Sequence, residues 1–147
     1  MRTLAEARLY LVSGARLAAG DLRELVGELV DAGIDLIQLR EKHLDPGAIL
    51  KLGAPIAAAC RDAGVPLVIN DRADLALALE AEGVHLGQDD GPVWLARRVL
   101  GEGIVGLSTH SEEQVEAAVA SSEPDYIAVG PVHATPTKPG RPAAGLA

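Results

Sequence analysis

Apolar runs rich in Val, Ile and Leu alternate along the chain with longer stretches that have helical periodicity. The apolar runs predict six strands, at residues 9–13, 35–41, 66–71, 83–88, 104–110 and 126–131. The stretches between them carry helix signals, with predicted starts at Asp45-Pro46 and Ser111 and predicted ends at Gly33, Gly64, Gly83 and Gly101. Strands that alternate with helices indicate βαβ units with right-handed crossovers, and therefore a parallel sheet.

Such a sheet either closes into a barrel or stays open as a doubly wound sheet. Polar residues recur at the carboxyl end of strand after strand, which favours a barrel because a barrel gathers those ends around one mouth. The turn after the first strand, SGARLAAG, lacks the G-x-G-x-x-G pattern of dinucleotide-binding sheets. We predict an α/β fold of the TIM (β/α)8 type, as one domain over residues 1–147. Because that barrel typically needs about 250 residues, we expect only about six of its βα units, without the last two.

Composition narrows the classes of partner and compartment. The chain has 147 residues, 48% of them hydrophobic, and a formal net charge of −8, which argues against nucleic acid or an anionic membrane as the main partner. No apolar run approaches the roughly 20 residues of a membrane helix, and the start lacks a signal-peptide pattern. The single cysteine, Cys60, is expected to be a small buried hydrophobe and is compatible with a reducing compartment. We therefore expect a cytoplasmic protein.

The second predicted strand ends in basic residues. The two-residue period of a strand places Gln38 and Arg40 on one face, with Lys42 at the tip on the same side. Polar side chains that point into a barrel require a ligand, and a guanidinium next to an ammonium suits phosphate oxygens. The alternative is a surface edge where Arg40 pairs with Glu41 or a neighbouring Asp, and the residues alone leave both interpretations open.

Acidic residues end the next two strands. Asn70 and Asp71 close one of them, and Asp89 and Asp90 follow the other, so three carboxylates would converge if these strands are neighbours. Converging carboxylates repel one another unless a cation lies between them, and Mg²⁺ typically takes one or two carboxylates together with phosphate oxygens and water. Two alternatives stay open: Asp71 and Asp90 could cap the helices that follow, or Arg72 could be the ion-pair partner of Asp71.

Two further segments carry chemistry. Ser108 and Thr109 end the fifth strand, and they could donate hydroxyls to an anion or cap the next helix. The loop GPVHATPTKPGRP follows the sixth strand and holds two hydroxyls and a lysine between prolines, which limit its conformational freedom. Loops at the carboxyl end of barrel strands bind substrates, so this loop is a candidate binding element. His85 and His110 are interpreted as hydrogen-bonded structural residues.

Together the motifs QLREK, VIND, GVHLGQDD, GLSTH and VGPVHATPTKPGRPAAGL resemble those of thiamine phosphate synthase, in the same order and at similar spacing. The resemblance runs from Leu9 to the last residue. Members of that family are eight-unit barrels that join 4-amino-2-methyl-5-hydroxymethylpyrimidine diphosphate to 4-methyl-5-(2-phosphoethyl)thiazole, forming thiamine phosphate and releasing pyrophosphate. The resemblance therefore implies a Mg²⁺-dependent transferase with small phosphorylated substrates.

The resemblance also implies roles for individual residues. The pyrimidine diphosphate would be bound by Gln38, Leu39, Arg40, Glu41, Lys42 and Asn70, and Mg²⁺ by Asp71 and Asp90. Ser108 and Lys138 would also face the diphosphate, while Thr135, Pro136 and Thr137 would bind the thiazole phosphate. Arg40, Lys42, Lys138 and Mg²⁺ would carry catalysis by neutralising charge on the leaving pyrophosphate, and no general base is assigned.

The chain departs from the family pattern at both ends. The first strand ends LYLVSG where the family usually has LYLVTD, and the strands that close the family's barrel are not found in the sequence. Open first and sixth strands would expose backbone and apolar edges, so we expect the chain to be unstable, self-associating or inactive. Two alternatives remain: a thiazole tautomerase relative, which the paired Asp residues and the TPTKP loop disfavour, and a non-catalytic remnant or phosphate-binding module. We expect the isolated chain to make little thiamine phosphate; robust Mg²⁺-dependent turnover by pure monomer would contradict this.

Overall fold

The computed structural model describes residues 4–15, 21–133 and 145. A short 3-10 turn, Leu4–Glu6, precedes an alternation of strands and helices. The strands are β1 (Tyr10–Ser13), β2 (Leu36–Leu39), β3 (Leu67–Asn70), β4 (Gly83–Leu86), β5 (Ile104–Thr109) and β6 (Tyr126–Val129). The helices are α1 (Leu22–Asp31), α2 (Pro46–Ala63), α3 (Ala73–Ala78), α4 (Val93–Leu100) and α5 (Glu112–Ser121). Each predicted strand is confirmed, and every one is shorter than predicted.

The six strands form one sheet in the order β1-β2-β3-β4-β5-β6, and every neighbouring pair is parallel. A doubly wound sheet changes direction part-way through its strand order, and this sheet does not. The sheet also curves strongly. Its curvature brings the hydroxyl of Tyr10 on the first strand to within 2.7 Å of the hydroxyl of Tyr126 on the last. The predicted barrel-type α/β fold is confirmed as a half-barrel of six parallel strands.

The core lies between the outer face of the sheet and the helices. Strands β2, β3 and β4 are buried at every position, as expected for strands covered on both faces. Alternate residues of these strands, such as Leu39, Ile69 and Leu86, pack in one cluster with the helices. Cys60 on α2 belongs to it and is fully buried. Burial, together with the charge of Glu82, raises the pKa of its thiol to about 11, so the expected role of a small hydrophobe is confirmed.

Most of the predicted helix boundaries follow from local chemistry. The Asp45 side chain accepts a hydrogen bond from the Ala48 amide at 2.9 Å and caps α2. Gly64 ends the same helix in the left-handed conformation, with φ of 68°. Ser111 caps α5 in the same way as Asp45 caps α2. The prediction for Gly83 is wrong, because this residue begins β4, where its Cα lies against the backbone of β5.

Helix α2 is the longest described helix, and none of the described helices is long and apolar enough to cross a membrane. Strands β1 and β6 each pair on one side only within the described residues. The expectation of a single domain that lacks two βα units stays a prediction.

The contact at Gly83 gives a test of the sheet. A Cβ atom at this position would lie 2.3 Å from the Ile104 carbonyl oxygen, which is backbone and cannot move aside alone. Gly83→Ala should therefore lower the free energy of unfolding by about 1–3 kcal/mol, the typical cost of overpacking. The matched control is Gly27→Ala on exposed α1, where no atom lies within 4 Å of an added Cβ. That control should gain about 0.5–1 kcal/mol from helix propensity. Urea denaturation of both variants measures the difference, and equal stability of Gly83→Ala and wild type would contradict the described packing.

Candidate active site

A cavity of about 650 Å³ opens at the carboxyl ends of the strands. Seven of the side chains that the sequence predicts at a site lie around it: Gln38, Arg40, Lys42, Asn70, Asp71, Asp90 and Ser108. They come from four successive strands and the loops that follow them. Parallel pairing of these strands brings residues that are up to 70 positions apart in the sequence to one mouth.

The basic side of the cavity is formed by the end of β2. Arg40 is exposed, and it forms no ion pair with any residue that the structure describes. The Glu41 carboxylate instead accepts a hydrogen bond from the Ala15 amide, so the alternative in which Arg40 pairs with Glu41 is wrong. Lys42 Nζ lies 3.7 Å from Asp71 Oδ2, a loose contact that leaves most of its donor capacity unused. Two cations are thus available to a small anion.

The acidic side is a carboxylate pair. The side chains of Asp71 and Asp90 both line the cavity, and burial, followed by the neighbouring Asp90 carboxylate, raises the pKa of Asp71. The positive charges of Lys42 and Arg40 act in the opposite direction and do not offset this rise. Asp90 is fixed by the Gly87 amide, which donates to its Oδ2 at 2.6 Å. The raised pKa of Asp71 shows that ionising it beside Asp90 is unfavourable. A divalent cation between the two carboxylates would relieve this, so the pair is a suitable donor set for such an ion.

The structure decides between the alternatives left open for these aspartates. Neither caps a helix: the residue before α3 is Arg72, the residue before α4 is Pro92, and no side chain caps either helix. Arg72 pairs with Asp74 and not with Asp71. Asp71, Asp89 and Asp90 line the same cavity, as the convergence of their strand ends predicts, but among residues 4–15, 21–133 and 145 no group of three or more His, Cys, Asp or Glu side chains could hold a metal. Asp89 lines the cavity beside the pair.

Asn70 lies between the basic and acidic sides. Its side chain is 8% exposed, and within the described part of the chain its Nδ2 atom has no hydrogen-bond acceptor. An unpaired buried donor typically costs about 1–3 kcal/mol. A ligand oxygen in the cavity would remove this cost, so Asn70 marks the part of the cavity that is prepared for an acceptor group.

Two other predicted residues lie elsewhere. Leu39 is on the opposite face of β2, where it packs in the core near Gly53, and its side chain does not reach the cavity. Glu41 ties the loop after β1 to the end of β2 through Ala15, and a Cβ atom at Gly14 would lie 2.7 Å from its carboxylate. Leu39 faces away from the cavity because alternate residues of a strand face opposite sides, whereas Glu41 lies beyond β2 and is held by its bond to Ala15. Thr135, Pro136, Thr137 and Lys138 lie outside the described residues.

A chain of hydrogen bonds crosses the inner face of the sheet beneath these groups. Gln38 Nε2 donates to the Tyr10 hydroxyl, and the Tyr10 and Tyr126 hydroxyls share a hydrogen bond. The Tyr126 hydroxyl and Ser108 Oγ each lie 2.9 Å from a ring nitrogen of His85. Burial raises the pKa of both tyrosines, so both hydroxyls stay protonated. These hydrogen bonds hold the polar side chains in one fixed arrangement inside the half-barrel.

The sequence interpretation gave no site role to Tyr10 or Tyr126. Two signals could have found them: they are the only tyrosines in a chain without Phe, and both lie in strands. Gly106 on β5 is the necessary partner, because a Cβ atom there would lie 2.2 Å from the Tyr126 ring. Such an inward glycine leaves room for a neighbouring aromatic ring, but the sequence does not reveal which residue fills the space.

The chain is similar to proteins of one known family over nearly its whole length. The profile of the family described as thiamine monophosphate synthase matches residues 9–147. The chain belongs to this family. The thiamine-phosphate synthase of Acidothermus cellulolyticus is 52% identical over 145 residues, which cover 98% of this chain and 68% of that protein. The corresponding protein of Saccharopolyspora erythraea is 49% identical over 150 residues, covering 97% of this chain and 67% of that protein.

A solved structure agrees with these matches. The thiamine phosphate pyrophosphorylase from Pyrococcus furiosus superimposes with a TM-score of 0.76 at 29% identity, over 88% of this chain and 62% of that chain. This chain therefore spans about two thirds of the length of the relatives that it matches. The family resemblance drawn from the motifs is confirmed, and thiamine phosphate synthase is favoured over the tautomerase alternative.

The strained carboxylate pair predicts a pH-dependent gain in stability for Asp71→Asn. Because burial and Asp90 hold the pKa of Asp71 above its ordinary value of 3.8, the folded state binds this proton more tightly than the unfolded chain. Wild-type stability therefore falls as pH rises from about 3.8 through the raised pKa, whereas the neutral amide side chain of the variant avoids that loss.

In metal-free buffer Asp71→Asn should exceed wild type in unfolding free energy at pH 7, and the difference should vanish below about pH 3. Asp62→Asn, at an exposed position on α2 away from the cavity, is the matched control. Urea denaturation at several pH values measures the effect. A variant that is less stable than wild type at pH 7 would show that the pair is not under repulsion.

Proposed function

We propose that this chain carries the diphosphate-binding half of a thiamine phosphate synthase site. In the proposed reaction, 4-amino-2-methyl-5-hydroxymethylpyrimidine diphosphate and 4-methyl-5-(2-phosphoethyl)thiazole are condensed to thiamine phosphate, and pyrophosphate is released. The class is therefore a transferase that moves an alkyl group from a diphosphate to a ring nitrogen. Family membership supports the chemistry, and the cavity supports its assignment to particular residues.

The buried Nδ2 of Asn70 is the observation that carries the proposal. A donor without an acceptor among the described residues, in a cavity that also presents Arg40 and Lys42, calls for an anionic ligand rich in oxygen acceptors. A diphosphate offers several such oxygens on one group, so it can reach the Asn70 amide and both cations together. Guanidinium and ammonium groups bind phosphate oxygens through charge-assisted hydrogen bonds, which are the strong class.

The carboxylate pair fits Mg²⁺ on the same chemistry. Asp71 and Asp90 would hold the ion, because a divalent cation relieves the repulsion that raises the pKa of Asp71. When bound, Mg²⁺ supplies neutralisation of negative charge on the diphosphate. The asymmetric anchoring of the pair, with Asp90 fixed by Gly87 and Asp71 in contact with Lys42, leaves oxygen atoms of both carboxylates available.

The protein's own residues would do the remaining work by binding and orientation. Arg40 and Lys42 would stabilise the charge that builds up on the leaving pyrophosphate as the bond to carbon lengthens. The chain of hydrogen bonds from Gln38 through the tyrosines and His85 to Ser108 offers a fixed set of donors and acceptors to the pyrimidine ring. Holding the reacting carbon in line with the thiazole nitrogen then needs no general base. Lys138 and the segment Thr135, Pro136 and Thr137 are proposed to complete the site.

The proposal includes the expected setting of the protein. The free, buried Cys60 thiol and small phosphorylated substrates favour a cytoplasmic location. Within the described residues β1 and β6 each pair on one side only, and the exposed Val129 on β6 adds apolar surface, which favours self-association through these strands. The competing function is a phosphate-binding module without catalysis, which would bind the diphosphate and release no pyrophosphate.

Substitution of Arg40 tests the proposal. Arg40→Ala should weaken binding of the pyrimidine diphosphate by about 10- to 100-fold in the presence of Mg²⁺, as expected for a hydrogen bond between charged groups. Arg98→Ala on α4 is the matched control, because Arg98 is exposed and lies outside the cavity. Calorimetric titration measures binding, and a coupled assay of pyrophosphate release with both substrates measures turnover. Equal affinities of the two variants would overturn the assignment, and binding without pyrophosphate release would favour the phosphate-binding module.

A further inference from the structure

We infer that His110 is a positioning residue that holds the end of β6, and with it the start of the loop GPVHATPTKPGRP, against β5. His110 was expected to be a hydrogen-bonded structural residue, and the structure gives that bond a specific target. The imidazole Nδ1 is hydrogen-bonded to the carbonyl oxygen of Gly130. Gly130 is the first residue after β6 and the first residue of the loop GPVHATPTKPGRP, in which Thr135 to Lys138 follow later in the sequence.

The hydrogen bond to Gly130 determines which ring nitrogen of His110 carries a hydrogen. A carbonyl oxygen can only accept, so Nδ1 of His110 must carry the hydrogen. The side chain also lines the cavity, and Nε2 has no partner among the residues that the structure describes. Nδ1 of His110 therefore binds the end of β6, and Nε2 is available to a group inside the cavity or to solvent.

His110 is itself held in place from α5. Its backbone amide donates to Gln114 Oε1 at 2.7 Å, and the Gln114 amide donates to the Ser111 side chain that caps α5. The Gln114 side chain thus reaches back over the first turn, in a variant of the capping box. The first turn of α5 and the imidazole form a rigid bracket that ends at the Gly130 carbonyl.

The end of β6 depends on this bracket because its other contacts are few. Within the described residues β6 pairs only with β5, and both Ala128 and Val129 are exposed. Beyond the strand, the Gly130 amide donates to the Thr109 carbonyl at 3.0 Å, and the His110 bond satisfies the Gly130 carbonyl. Loss of the imidazole would leave the Gly130 carbonyl without this partner and Gly130 held through its amide, between the Thr109 hydroxyl on the Ala128 carbonyl and the Gly145 amide on the Val132 carbonyl. That the loop binds substrate rests on the proposed function; the bracket itself rests on these contacts.

Three substitutions of His110 separate the effect of its hydrogen bond to Gly130 from the effect of side-chain volume. His110→Ala removes the donor, His110→Asn places an amide nitrogen close to the former Nδ1, and His110→Gln places its amide farther out, near the former Nε2. Hydrogen exchange of the full chain, followed on peptides that cover residues 126–133, reports the hold on Gly130 without any ligand. Exchange there should quicken by about 3- to 10-fold in His110→Ala and in His110→Gln, the effect of one hydrogen bond, and His110→Asn should restore most of the protection. His43→Ala, at an exposed histidine that does not line the cavity, is the matched control.

The ligand arm uses Mg²⁺ with inorganic pyrophosphate as the probe. Its dissociation constant should rise in His110→Ala and His110→Gln and return toward wild type in His110→Asn. Unchanged exchange in folded His110→Ala, or His110→Asn that exchanges as fast as His110→Gln, overturns the inference. If His110→Ala does not fold, the comparison of Asn with Gln decides alone. Wild-type protein that binds no pyrophosphate would contradict the proposed function, while the exchange result would still decide the role of His110.

Discussion

Parallel pairing of each strand with the next one in the chain brings the carboxyl ends of all six strands to one edge of the sheet. The curvature of the sheet then turns that edge into a mouth, and the contact between the Tyr10 and Tyr126 hydroxyls shows how far it turns. Every group of the candidate site depends on this geometry. Basic residues after β2, acidic residues after β3 and β4, and the hydroxyl of Ser108 become neighbours only because their strands are parallel and consecutive.

The same geometry concentrates unfavourable electrostatics in the cavity. Burial and the neighbouring Asp90 raise the pKa of Asp71, and Asn70 buries a donor without an acceptor among the described residues. A chain folded only for stability would avoid both arrangements. Their position in one cavity with Arg40 and Lys42 gives them a common explanation, since a diphosphate with Mg²⁺ would satisfy the donor, neutralise the carboxylates and pair with the cations. Binding would thus remove two unfavourable terms of the folded state, the unpaired Asn70 donor and the repulsion between the carboxylates.

Residues that belong to strongly periodic segments were predictable from the sequence. The alternation of apolar runs with helical stretches gave all six strands, and the capping signals of Asp45, Ser111 and Gly64 gave true helix boundaries. Strand-end position placed Arg40, Asn70 and Asp71 at one mouth, because parallel topology alone fixes which ends meet.

Side-chain direction and pairing needed the structure. The sequence offered Arg72 as a partner for Asp71, whereas the helix that follows brings Asp74 to it. The pleat of β2 turns Leu39 away from the cavity and into the core, and the bond to the Ala15 amide holds Glu41 beyond the end of the strand. Tyr126 reaches Tyr10 from 116 residues away, a contact that only the curvature of the sheet determines.

The strand-end cluster is proposed to bind a diphosphate and Mg²⁺ together. Calorimetric titration of the wild-type chain with inorganic pyrophosphate, first with Mg²⁺ and then with EDTA, tests this proposal most directly. Pyrophosphate binding should weaken at least about 10-fold when the cation is removed, since the carboxylates then repel the ligand. Equal affinity in the two buffers, or no binding with Mg²⁺ present, would contradict it.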